Sequence, residues 1–339
     1  MACSAAFAAA ACVPISCPAV GAPAPWRTDM PAAMRMAAMG PQRHPAPADA
    51  AQARARFFNS ANAFNIQLPP VPSHSFTAEA QRAMDPKAPT GWQPCDQSQA
   101  LGGGTPATTP LMLARYAHIA PGGTLASHFV ATGAIWYVIA GSGRTQEGDA
   151  ALLAWSAGDV FQVPGTRALH HTAGAEGATL WVVTDEPLLG AGGFAAPATD
   201  EGVVHYPAAE IQRQLALVYA AEPEAETSGR ALIFSSELLE STHNIHRTMT
   251  LSLNTLPPGD SQAAHRHNSA AITLIVDGED CHSMVDGERI AWDRWTTMVT
   301  PPGAPHSHHN GGSTRRALFL IVQDGQFYYR ARTMGFAPV

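Results

Sequence analysis

His265 and His267 are separated by one residue, and His306 follows well downstream, just after a Pro301-Pro302-Gly303 turn signal. In an extended strand alternate side chains share a face, so the first two imidazoles project together while Arg266 points away. A third imidazole can join them only if the chain doubles back through the strand-like runs in between and sets His306 beside the pair. A small antiparallel barrel meets that requirement. Three neutral imidazoles at such spacing are also a ligand set for a divalent metal.

The rest of the chain agrees with a barrel. From Leu111, short β-rich runs alternate with Gly, Pro and Asp-Gly breaks: Leu111 to Ile119, Ala134 to Ile139, Asp159 to Val163 and Thr179 to Thr184. A helical stretch from Ala208 to Tyr219 and an acidic loop from Glu222 to Glu226 interrupt the pattern. It returns with Met249 to Leu256, Ala271 to Val276, Thr296 to Thr300 and Ala317 to Val322. Such regular short runs read as an all-β barrel or sandwich.

The two β regions also repeat each other. Gly122 and His128 before a strand ending at Gly141 match Gly259 and His265 before a strand ending at Gly278. Gly158 to Pro164 with His170-His171 match Trp295 to Pro301 with the 306–309 cluster. The predicted architecture is therefore all-β, with two tandem jelly-roll barrels. Its segments are an Ala/Pro-rich leader (1–50), an N-terminal arm (51–105) opening on a short helix from Ala50 to Phe58, a first barrel (106–200), a helical linker (201–240) and a second barrel (241–339). In the first repeat Val130 stands at the second histidine position and Leu169 where the downstream ligand would fall. One metal per chain, in the second barrel, is expected.

Composition narrows the partners. The chain of 339 residues is 46% apolar and 14% charged, with a formal charge of −7. No basic cluster longer than Arg315-Arg316 occurs, so nucleic acid and anionic membranes are not expected partners. No run is long and apolar enough to span a bilayer. The five cysteines include no Cys-x-x-Cys pair, which favours a reducing cytoplasm over a disulfide framework. The apolar Ala5 to Val13 run of the leader admits a signal-peptide reading. No basic residue precedes that run, and a disordered tail, from an upstream start codon, is the favoured expectation.

The second repeat resembles the cupin superfamily, matching Gly-x5-His-x-His with a strand-end glycine (Gly259, His265, His267, Gly278) and Pro-x-Gly-x2-His-x3-Asn (Pro301, Gly303, His306, Asn310). It departs at Ala271, where many cupins carry an acidic ligand. That departure, with His-Arg-His and His306-Ser307-His308, is similar to the gentisate and salicylate 1,2-dioxygenase family of bicupins. The first repeat is similar to that family's metal-free cupin through Gly158 to Pro164 and Thr184-Asp185-Glu186-Pro187, although the order of the two halves is inverted here.

The resemblance implies a non-haem Fe(II) dioxygenase with His265, His267 and His306 as ligands. Its substrate would be salicylate, gentisate or a substituted salicylate such as a nitro or halo derivative, cleaved between the carboxyl- and hydroxyl-bearing carbons. Without a carboxylate ligand, the metal would keep its full charge for an anionic chelating substrate. His308, on the strand face of His306, would contact substrate or oxygen and move a proton as a catalytic residue. Asn254 stands at the family's substrate-contacting glutamine and Thr273 at its carboxylate-pairing arginine, so both are expected to touch substrate. Either Arg247, Arg289 or His246 replaces that arginine, or the substrate is a different aromatic. His128, His170 and His171 are expected to be structural.

Two other classes use the same residues. A metal-dependent lyase, decarboxylase or isomerase would need no oxygen, and a ligand-binding bicupin would need no metal. The exposed sheet edges of such barrels lead us to expect a homodimer or homotetramer, with the arm crossing subunits.

Overall fold

The computed structural model describes residues 35–196, 198–199, 201–222 and 229–339. Most of the leader and nearly all of the acidic loop lie outside these residues. The chain divides into two compact units, Met1–Gln67 and Leu68–Val339. The described part of the first carries a 3-10 helix, Met36–Ala38, and an α-helix, Ala50–Arg54, capped by the Asp49 carboxylate on the Gln52 N–H. That helix is shorter than expected because the chain turns extended at Ala55.

The second unit holds two β barrels. In the C-terminal barrel a six-stranded sheet runs in the order His74–Ser75, Thr297–Thr300, Ala271–Asp277, Ala317–Gln323, Thr250–Leu256, Arg230–Ile233. A five-stranded sheet runs Glu288–Ala291, Cys281–Val285, His306–Asn310, His265–His267, Phe336–Pro338. One face of the six-stranded sheet meets the five-stranded sheet through Leu256, Ala271, Ile275, Met298, Phe319 and Ile321. The N-terminal barrel is one rolled sheet built on two long strands, Gly133–Glu147 and Ala168–Thr184. Each contains an expected shorter run, prolonged across β-bulges into the next layer. Gly141 lies at such a bulge with φ +82, and a Cβ there would come within 2.1 Å of the Gly177 carbonyl oxygen.

The barrels share the largest core. The other face of the six-stranded sheet presents Leu251, Leu253, Ile272, Leu274, Leu320 and Val322 to Tyr116, Ile135, Trp181 and Val183 of the N-terminal barrel. Each fully buried aliphatic side chain stabilises the fold by about 1.5–3 kcal/mol. Polar pins run through this core, since the Tyr116 hydroxyl bonds the Trp295 carbonyl and the Trp181 indole N–H donates to Thr297 Oγ1 at 3.0 Å. The connecting segments complete the sheets: Gly91–Pro94 and Val204–Tyr206 pair with the N-terminal barrel, His74–Ser75 and Arg230–Ile233 with the C-terminal one.

Candidate metal centre

All three expected ligands lie on the five-stranded sheet. His265 and His267 flank the exposed Arg266 on one short strand, and antiparallel register sets His265 directly opposite His306. The three side chains are buried, and their ligand atoms lie within 4.8 Å of one another. Side-chain rotation can bring such a cluster onto one ion with metal–nitrogen distances of about 2.1 Å.

Each imidazole is oriented by its own backbone neighbourhood. The Nδ1–H of His265 donates to the Ala263 carbonyl at 2.9 Å, that of His267 to the Ser269 carbonyl at 2.8 Å, and that of His306 to the Ala304 carbonyl at 2.8 Å. A carbonyl can only accept, so in all three rings the proton sits on Nδ1 and the Nε2 lone pair is free for a metal. Burial pulls His267 below the usual histidine range. It pulls His306 down to about 4, with the charges of His265 and His267 adding to the effect. Rings kept neutral in this way fit a divalent cation.

His308 shares the face of His306 and is buried, its ring centroid 5.9 Å away. Its Nδ1 lies 2.8 Å from Ser283 Oγ, and that oxygen accepts the Trp292 indole N–H at 2.8 Å. Trp292 can only donate to that oxygen, and His308 Nδ1 is the acceptor within reach of the hydroxyl's own proton; with the hydroxyl donating there, the proton of His308 sits on Nε2. Burial, reinforced by His306 and its neighbours, pushes His308 well below its usual value, so it serves as a neutral donor.

The N-terminal barrel repeats this triad without the ligands. His171 Nδ1 lies 2.9 Å from Thr145 Oγ1, which accepts the Trp155 indole N–H at 3.0 Å, and His171 Nε2 bonds Ser127 Oγ at 2.9 Å. Here the structure corrects the sequence alignment by one residue. Ser127, and not His128, pairs across from Leu169, so Ser127, Phe129 and Leu169 hold the three ligand positions and His128 is exposed. A one-residue offset turns every side chain of a strand to its other face. Trp136, at the position of Thr273, fills the space with its ring stacked on Phe161 at 5.5 Å.

Thr273 lies on the inner face of the six-stranded sheet, between Ala271 and Ile275. It is 2% exposed, and its Oγ1 has no hydrogen-bond partner. Asn254 lies on the same face by register and donates to Ser252 Oγ at 2.7 Å. It is four residues along its strand from Thr250, which sits level with Gln323, a displacement of about 13 Å.

None of the three basic candidates reaches this interior. Arg247 pairs with Glu201, Arg289 is an exposed side chain 4.0 Å from Asp280, and His246 is buried beside Thr132 and Thr248 at the N-terminal barrel. Among the described residues no arginine or lysine is buried.

Several neighbours of the centre were not singled out from sequence. Phe336 stacks on His265 at 5.2 Å from the C-terminal strand, Ser269 Oγ lies 3.0 Å from His267 Nδ1, and Gln323 Nε2 approaches His267 Nε2 at 3.5 Å. Reading the inward parity of the strand that ends at Gln323 would have found the last of these.

Residues 252–323 match the family model described as a cupin domain. Gentisate 1,2 dioxygenase 1 of Aquipseudomonas alcaligenes is 33% identical over 85 residues, 25% of this chain and 24% of that protein. The 5-aminosalicylate 1,2-dioxygenase of Comamonas sp is 31% identical over 90 residues, 26% of this chain and 24% of that protein. Each alignment spans about a quarter of the curated relative's length. The salicylate 1,2-dioxygenase of Pseudaminobacter salicylatoxidans shares the fold, with a TM-score of 0.67 at 15% identity over 83% of this chain and 92% of that one. The chain thus has the bicupin fold, its C-terminal barrel carries a cupin domain, and its sequence relatives include gentisate and 5-aminosalicylate 1,2-dioxygenases. Among the described residues no helix is long and apolar enough to cross a membrane.

Proposed function

We propose that this chain is a ring-cleaving dioxygenase for an aromatic acid with adjacent hydroxyl and carboxylate groups, using non-haem Fe(II) held by His265, His267 and His306. The observation that carries the reading is a buried centre of three imidazoles whose Nδ1 protons are committed to carbonyls, with alanine at position 271 where a fourth, acidic ligand would stand. When bound, ferrous ion would supply a chelating, redox-active centre at which the hydroxy acid and dioxygen meet. A centre with no protein carboxylate favours an anionic chelate over a neutral ligand.

The protein residues orient and exclude. His308 presents a neutral Nε2–H to the interior and is the residue we assign to holding or moving the phenolic proton. Thr273 offers a hydroxyl with no partner of its own, and Asn254, further along the same face, is the other residue assigned to contact substrate. The apolar wall of Ile275, Met298, Phe319 and Ile321 suits an aromatic ring and keeps water out. The gentisate and 5-aminosalicylate 1,2-dioxygenases named among the relatives support this substrate class. We further assign the protein to the cytoplasm as a homodimer or homotetramer; the exposed Phe64 and Ile66, at alternate positions of the arm, support self-association.

Anaerobic reconstitution with Fe(II), followed by oxygen-uptake measurements on salicylate, gentisate, 5-aminosalicylate and 1-hydroxy-2-naphthoate, tests the reading. Consumption of one O2 per ring opened is expected for at least one of them. Absence of uptake with every o-hydroxy acid refutes it, and turnover of one under strict anoxia would assign the centre to a lyase or decarboxylase instead.

A further inference from the structure

We propose that the Gln323 carboxamide is the neutral donor that hydrogen-bonds the anionic ligand of the metal, in the place of the acidic ligand missing at Ala271 and of a guanidinium missing at Thr273. The inference rests on reading the centre as a metal site that takes an anionic chelate. Gln323 ends the strand Ala317–Gln323 on the six-stranded sheet, which faces the sheet carrying all three histidines. Register places it opposite Ala271 on one side and Thr250 on the other, with Thr273 opposite Ile321 one inward position further along. Alanine at 271 leaves nothing beyond a Cβ at the point where an acidic side chain would extend, and the longer Gln323 enters that space from the next strand.

The amide has a fixed orientation. Ser269 Oγ donates to Gln323 Oε1 at 3.0 Å, which turns the NH2 group toward the centre, 3.5 Å from His267 Nε2. With no metal, that lone pair is the nearest acceptor. Once the lone pair is given to a metal, the N–H groups face whatever anion occupies the adjoining coordination position. Among the described residues no charged side chain competes for this part. No arginine or lysine among the described residues is buried, His308 and Thr273 are likewise neutral donors, and Asp324, the next residue, spends Oδ1 on the Ala270 N–H. Recognition of the anion would therefore rest on the metal's charge plus neutral donors, where a guanidinium would add a second cation.

The test uses the full chain loaded anaerobically with Co(II), whose visible spectrum reports ligands entering the metal. Azide serves as a probe that is independent of substrate class, and salicylate and gentisate as probes of the proposed class. Co(II) affinity is measured separately by chelator competition. Q323L should hold Co(II) as tightly as the wild type but bind azide and the hydroxy acids about 10- to 100-fold more weakly, the worth of one hydrogen bond to a charged group. Q323E should tighten Co(II) and weaken all the anions, and it carries the test should Q323L fail to fold. Wild-type anion affinities in Q323L overturn the proposal. So does a loss of Co(II) affinity in Q323L, which would make the amide a metal ligand. Azide binding that depends on Gln323, with no hydroxy acid bound even to the wild type, would sustain the role of Gln323 and refute the substrate reading. Failure of every anion to bind the wild type would overturn both.

Discussion

Asp324 offers a quantitative test of how the histidine-bearing barrel is held. It is 4% exposed, it accepts the Ala270 N–H at 2.9 Å beside the loop that orients His267, and burial raises its carboxyl from 3.8 to about 7. Between the unfolded and folded values the native state binds a proton that the unfolded chain does not, so stability falls as pH rises. The contribution is fully present below about pH 4 and lost once pH has risen through about 7. At about 1.4 kcal/mol per unit, the shift is worth on the order of 4 kcal/mol in all, of which about 2 kcal/mol falls between pH 5 and pH 7.

Asp324→Asn keeps an oxygen for the Ala270 N–H but cannot ionise. Its stability relative to wild type should therefore rise by about 3 kcal/mol from pH 5 to pH 8, with titrations common to both proteins cancelling. A unit of this size unfolds with an entropy of about 0.6 kcal/mol/K, so the difference in Tm should shift by roughly 5 °C over that range. Differential scanning calorimetry of the metal-free proteins at pH 5, 6, 7 and 8 measures it. Parallel Tm profiles would refute the argument, because they would mean that Asp324 titrates alike in the folded and unfolded chains.

Two further outcomes follow from the repeated triads. Ser283→Ala leaves the ligands untouched but removes the partner of His308 Nδ1 and of the Trp292 indole N–H; metal content should stay at wild-type level while kcat falls about 10-fold or more, read by metal analysis and oxygen uptake. Trp136→Ala should cost about 3–5 kcal/mol in denaturant unfolding, since it empties the interior of the N-terminal barrel, yet leave metal stoichiometry unchanged.

The histidine cluster was readable from sequence because its geometry is local. A strand places residues two apart on one face whatever surrounds it, so His265 and His267 could be paired without coordinates, and the Pro301-Pro302-Gly303 turn marked where His306 re-enters. The apolar parity that put Thr273 inside is local for the same reason. The Ser127 register was not readable in this way. Counting from Gly122 selects His128, and only the pairing with Leu169 reveals the residue that fills the ligand position. A turn can absorb one residue without leaving a mark in composition, and one residue reverses the face.

Other features depended on chain segments far apart in sequence. Ser283 and Trp292 meet His308 from other parts of the barrel, and Gln323 reaches His267 from the facing sheet. The same holds for the core between the barrels, where a β-face that reads as an ordinary buried strand from either repeat proves to be packed against the other repeat. Periodicity determines which face of a strand is apolar, and so determined the barrels and the histidine triad. Which surface that face meets, and which hydroxyl or amide then completes a histidine, depends on packing between distant segments, and tertiary structure alone decided it.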